Sequence, residues 1–197
     1  MLACSSGKTE RKGGAVVANW CQSRDPRYTD WRSLSVCMLS IRPATIDDVT
    51  LLRTLIRELA EFEHELDQVS IQESDLARDG FGTSPKFRAL IAEWDEQPAG
   101  YALFFGYYST WVGPGLYLED LFVRQQFRGR GIGIALLASV ARIALQEDCC
   151  AMRWEVLDWN EKAIGLYKAL GAEFHDQWRS VFLTDEPLQR LAEKKPL

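Results

Sequence analysis

The sequence predicts an α/β (α+β) fold, a mixed central β-sheet flanked by helices in the order β-α-α-β-β-β-α-β-α-β, on three observations. Residues 117–123, Y-L-E-D-L-F-V, read as a buried strand that runs into the glycine-rich turn R-G-R-G-I-G of residues 128–133, which opens a helix and so makes one parallel crossover. Residues 87–94 and 100–108 read as two strands of an antiparallel hairpin around a polar turn at residues 95–98. Between Val49 and Leu59 the apolar residues recur at helical spacing.

Taken in order, residues 39–42 form a short strand ended by Pro43. Thr45 with Asp48 makes a capping box for a helix whose Val49, Leu52, Leu55, Ile56 and Leu59 fall on one face and pack on the sheet. The end of that helix carries Glu61, Glu63, Glu65 and Asp67 interleaved with Phe62 and Leu66, a run that is ordinarily a solvated face. A second box, Ser70 with Glu73, starts a short helix that Gly80 stops. After the hairpin and a turn at residues 113–115 comes the 117–123 strand, followed by a helix from Gly133 to about Gln146. A strand at residues 152–157, a helix at 160–170 closed by Gly171 and a last strand at 178–184 complete the chain.

A length of 197 residues with 47% hydrophobic and 26% charged residues suits one globular domain with a sizeable core. Residues 1–37 differ: six basic and three acidic residues, three glycines, five serines and no sustained period mark an expected disordered extension, with 38–197 as the single domain. Of the chain's 23 basic and 28 acidic residues, 17 and 25 remain in that domain, a net charge of −8. An acidic body argues against nucleic acid and favours small cations. No apolar run reaches bilayer length, so no membrane partner is expected. Cys4, Cys21, Cys37, Cys149 and Cys150 make an odd count without metal spacing, so neither a disulfide framework nor a metal site is expected, and a cytoplasmic location follows as the default.

In the glycine-rich turn, Gly129, Gly131 and Gly133 remove side chains where the backbone bends and a ligand approaches, and the following helix presents unpaired N–H groups. Arg124, Arg128 and Arg130 add charge that suits a diphosphate. A dinucleotide fingerprint fails because the third glycine arrives one residue early, and a Walker loop fails because Ile134 and Ala135 follow Gly133. The pattern [R/Q]-x-x-G-x-[G/A] matches, with Arg128, Gly131 and Gly133 at its fixed positions.

That pattern resembles the acetyl-CoA pyrophosphate loop of the GNAT acyltransferases. L-Y-L-E-D-L-F-V, R-G-R-G-I-G, V-L-D-W-N and A-I-G-L-Y-K-A-L-G follow one another at family spacing, and R-E-L-A-E-F-E with D-G-F-G resembles the spermidine/spermine (diamine) and thialysine acetyltransferase branch. The likeness covers residues 39–184. It implies acetyl-CoA as co-substrate, held by Leu121, Phe122, Val123, Arg128, Gly129, Arg130, Gly131, Ile132, Gly133, Ile134 and Asn160. It implies Tyr167 as the acid that protonates the departing thiolate and Glu119 as the carboxylate that takes the amine proton, directly or through water. Phe62, Glu63, Trp111, Glu119 and Asp120 are implied to line the acceptor site, and a homodimer is implied that exchanges its last strand.

The residue types suit this chemistry. Acetyl transfer to an amine needs a neutral amine and a proton for the thiolate, and a carboxylate facing an aromatic ring receives an ammonium. For each residue taken alone the plainer reading stands beside this one: a structural ion pair for Glu119 or Asp120, core packing for Tyr167. Two departures bear on the acceptor. Ser109 and Thr110 precede Trp111 where polyamine specialists carry an acidic residue, and the segment from Ala172 to Trp178 is short. A thialysine-like amino acid or short diamine is therefore expected before a long polyamine. A protein lysine or N-terminal acetyltransferase and a non-catalytic CoA-binding module are the alternatives.

Overall fold

Pro43 ends β1 (Leu39–Pro43), and the chain turns through a single 3-10 turn into α1 (Val49–Phe62). Asp48 fixes that corner: its Oδ2 accepts the Thr45 N–H at 2.8 Å, closing the expected capping box, while Arg42 donates to both carboxylate oxygens at 2.8 Å. Leu52 and Leu55 of α1 are fully buried, each contributing about 2 kcal/mol of apolar burial. The computed structural model describes residues 38–194, so the extension expected over residues 1–37 lies outside the described residues.

The next helix, α2 (Glu73–Phe81), corrects two expectations. Its box is Gln72 with Asp75, the Gln72 N–H donating to Asp75 Oδ2 at 3.1 Å, and not Ser70 with Glu73. Gly80 lies within the helix and does not stop it: a Cβ there would fall 2.5 Å from Phe87 Cζ, so the glycine makes room for that ring. The helix ends at Gly82 instead.

β2 (Arg88–Trp94) and β3 (Gln97–Ser109) are joined by Asp95 and Glu96, both at positive φ, the geometry of a two-residue hairpin turn that follows the twist of its strands. β4 (Gly113–Val123) pairs antiparallel with β3, and α3 (Ile132–Gln146) carries the chain back to β5 (Ala151–Arg153), parallel to β4. The sheet order is β1-β2-β3-β4-β5. One face meets α1 and α2 through Val49, Leu52, Leu55, Leu76, Ile91, Tyr101, Leu103 and Phe122; α3 covers the other.

The described chain divides after Glu155 into two compact units, the first holding the sheet with α1–α3. The expected strand over 152–157 shrinks to Ala151–Arg153, because its ladder on β4 covers only Gly115, Leu116 and Tyr117. The second unit holds α4 (Glu161–Ala169), capped by Asn160 and closed by Gly171 at φ +82°, and α5 (Asp185–Ala192). The last strand expected at residues 178–184 is not formed, since an extended segment becomes a strand only where a ladder partner lies beside it and none does among the described residues. The order therefore ends in two helices. Thr184 ahead of Asp185 and Glu186, with Arg190 a turn later and ion-paired to Glu186, was a helix-start signal that the alternation of the preceding residues masked.

Candidate active site

β4 leads directly into the glycine turn. Gly129 and Gly131 take φ of +77° and +78°, which the other residues of the loop would resist, and a Cβ at either would meet nothing within 4 Å. Gly131 is the N-cap of α3, and the first helical bond runs from Ala135 N–H to the Gly131 carbonyl at 3.0 Å. The amides of Ile132, Gly133 and Ile134 therefore have no intrahelical acceptor and point out of the positive end of a 15-residue helix. Open space in front of three amides suits a diphosphate. Gly133 needs no unusual φ; Val123 Cγ2 lies 3.8 Å from where its Cβ would stand.

Each of the three arginines beside the turn has a partner within the chain. Arg124 donates to Glu58 through Nε and Nη2 and to the Pro98 carbonyl through Nη1. Arg128 donates from Nε to the Val123 carbonyl at 2.9 Å and lays its guanidinium over the Phe62 ring at 4.4 Å. Arg130 lies over Trp94 at 4.9 Å. Of the strand residues expected at the cofactor, Phe122 gives its side chain to the core, edge-on to Tyr101, and the Val123 carbonyl already accepts Arg128. What Leu121, Phe122 and Val123 offer is backbone, on the side of β4 where pairing with β5 ends at Tyr117.

The carboxylates are placed by a bulge. Phe104 pairs with Leu118 and Leu103 with Asp120, so Glu119 is an extra residue in β4 with no partner of its own. One extra residue reverses the alternation: Leu118 shares the face of Phe104, while Asp120 and Phe122 share the α1–α2 face with Leu103 and Tyr101. Tyr101, fully buried, donates from its hydroxyl to Asp120 Oδ2 at 2.8 Å. Burial pushes the Asp120 carboxyl up to about 6, the Tyr101 bond opposes the rise, and the charges of Glu119 and Glu63 add to it. Glu119 and Glu63 are themselves raised, each by burial first, then by Glu155 and Glu65 respectively. Of the run at the end of α1, Glu63 is half-buried, while Glu61, Glu65 and Asp67 are solvated as expected.

Trp111 stands apart from this group. It occupies the tip of the β3–β4 hairpin, 85% exposed, and Gly113 lies six residue steps along the strand from Glu119, roughly 20 Å. Tyr101 and Glu155 were missed by sequence reasoning. The signal for Tyr101 was a hydroxyl in an otherwise apolar strand, which must find a partner when buried.

In the second unit, Asn160 accepts the Ala163 N–H on Oδ1 at 3.3 Å, capping α4 and leaving its amide group as a donor. Tyr167 is buried, and burial pushes its phenol above the ordinary value, so it holds its proton at neutral pH.

A mixed sheet whose bulged strand enters a glycine-fronted helix is the arrangement that the acyltransferase resemblance implied. Residues 51–172 match the Acetyltransferase (GNAT) family. The thialysine N-epsilon-acetyltransferase of Sus scrofa is 42% identical over 78% of this chain and 97% of its own length. A spermidine/spermine N(1)-acetyltransferase-like protein of Homo sapiens is 38% identical over 72% of this chain and 21% of its own. Among solved structures, an integron cassette protein from the V. cholerae mobile metagenome superposes with TM-score 0.65 at 23% identity, over 79% of this chain and 98% of that one. An aminoglycoside N-acetyltransferase in complex with CoA superposes with TM-score 0.60 at 22% identity, over 76% and 96%. The chain belongs to the Acetyltransferase (GNAT) family, and it is an N-acetyltransferase.

Proposed function

We propose that the chain transfers an acetyl group from acetyl-CoA, by direct transfer, to a primary amine of a small cationic acceptor, a thialysine-like amino acid or short diamine before a long polyamine. The observation that carries this reading is the carboxylate group gathered at the β4 bulge, Glu119 and Asp120 with Glu63, in a chain 42% identical to a protein named for thialysine acetylation. The charges of Glu119 and Glu63 raise Asp120, and an ammonium beside them would relieve that repulsion.

Acetyl-CoA, when bound, supplies the activated thioester carbonyl. The amides of Ile132, Gly133 and Ile134, with the open space before Gly129 and Gly131, receive its diphosphate, and Asn160 and the backbone of residues 121–123 receive the pantetheine arm. Arg128 and Arg130 contribute charge near the loop while held by Phe62 and Trp94. Glu119 takes the amine proton, directly or through water. Tyr167 gives a proton to the thiolate, its phenol being protonated at neutral pH.

A homodimer belongs to the same proposal. Val181 and Phe182 stand 89% and 81% exposed on the segment that forms no strand within one chain, as a segment waiting for a second copy would. Trp111, distant from the Glu119 of its own chain, then serves its partner's site. The test is turnover with acetyl-CoA against thialysine, short diamines, spermidine and a lysine-bearing peptide, with light scattering at assay concentration. Preferred turnover of thialysine or a short diamine by a dimer supports the reading. Preference for the peptide, or CoA binding without turnover of any amine, overturns it.

A further inference from the structure

We propose that Asp120 is a proton-accepting carboxylate of the acetyl transfer and that Tyr101 is the buried positioning residue that orients it and keeps it ionised; this rests on the function proposed above. The bulge at Glu119 turns Asp120 onto the α1–α2 face, where the Tyr101 hydroxyl lies 2.8 Å from Oδ2. Tyr101 has no freedom to move away: its ring is fully buried and held edge-on by Phe122 at 6.4 Å between centroids. One carboxylate oxygen is thereby fixed, and Oδ1 is the atom that meets the acceptor.

The groups acting on Asp120 come from every element around it. Glu63 at the end of α1 and Glu119 on its own strand are both negative, and Tyr101 on β3 is the donor. Of the cations beyond the end of β4, Arg124 is paired with Glu58 and Arg128 lies over the Phe62 and Phe122 rings. Burial among like charges drives Asp120 toward its neutral form, which cannot accept a proton; the Tyr101 bond favours the charged form. In the step itself the acceptor ammonium passes a proton to the Asp120 carboxylate, giving amine and carboxylic acid. The amine lone pair then forms the C–N bond as the thioester C–S bond breaks. The nitrogen's second proton passes to Glu119, directly or through water, and the thiolate takes its proton from Tyr167. The two carboxylic acids later return one proton to the Tyr167 phenolate and one to solvent.

The experiment measures kcat/KM against pH for the full chain and for Tyr101→Phe, Asp120→Asn and Glu119→Gln, with acetyl-CoA and thialysine, and follows the Asp120 carboxyl by ¹³C NMR. Tyr101→Phe keeps the ring and removes the donor, so the acidic limb and the Asp120 titration move together to higher pH by about one unit. Activity at pH 6 then falls about fivefold and recovers toward wild type by pH 9. Asp120→Asn removes that limb and lowers the plateau by about 10²-fold or more, whereas Glu119→Gln retains a limb at the Asp120 titration. A Tyr101→Phe loss equal at all pH values, or a limb that survives Asp120→Asn, overturns the proposal. If wild type acetylates no amine, the function reading falls by itself. The carboxyl titration then still judges the positioning role, and an Asp120 value unmoved by Tyr101→Phe refutes it.

Discussion

Arg124 Nε and Nη2 meet Glu58 Oε2 and Oε1 at 2.7 Å each, a two-bond fork that ties the end of β4 to the middle of α1. Both side chains are largely screened from solvent, so the pair is stronger than an exposed one. A double-mutant cycle of Arg124→Ala and Glu58→Ala should give a coupling of about 1–2 kcal/mol in denaturant melts. Coupling near zero would mean that the fork is as weak as an ordinary surface pair.

At the glycine turn, Gly131→Asn should leave the melting temperature nearly unchanged, since asparagine tolerates positive φ better than other side chains. It should nonetheless abolish most of the melting shift produced by acetyl-CoA, because its side chain enters the open space before the helix. A retained shift would remove the diphosphate from this loop.

At the first corner, the Arg42 guanidinium bonded to Asp48 lowers its carboxyl from 3.8 to about 2. A depressed carboxyl stabilises the fold above its unfolded value, and that contribution disappears as pH falls from about 4 toward 2. Asp48→Asn should therefore destabilise by about 1 kcal/mol at pH 7, with the gap to wild type closing below pH 4. Urea melts across that range check it; a gap independent of pH would assign the loss to shape and not charge.

Tyr167→Phe should lower kcat by about 10²- to 10⁴-fold while leaving acetyl-CoA binding within a few-fold, because it removes one hydroxyl and keeps the ring. Calorimetry and steady-state rates separate the two. Wild-type turnover in the variant would make Tyr167 a packing residue.

Much of the frame was legible because it is local. The Thr45–Asp48 box, the apolar face of α1, the strand running into R-G-R-G-I-G and the Asn160-to-Gly171 helix are set by residues within a few positions of one another, whose spacing alone dictates cap, face and turn. Gly80 misled because a glycine that yields to a distant ring looks, in one dimension, like a helix stop.

The residues by themselves determined the order of elements up to α4, the left-handed glycines and the acidic character of β4. Tertiary structure alone decided which face Asp120 occupies, because the bulge exists only in the register between two strands. It decided that Tyr101 is the partner of Asp120 and that Arg124 answers Glu58, contacts spanning 19 and 66 residues that no local period encodes. It also decided that residues 178–184 form no strand, since alternation supplies a strand's side chains but only a neighbouring backbone supplies its hydrogen bonds.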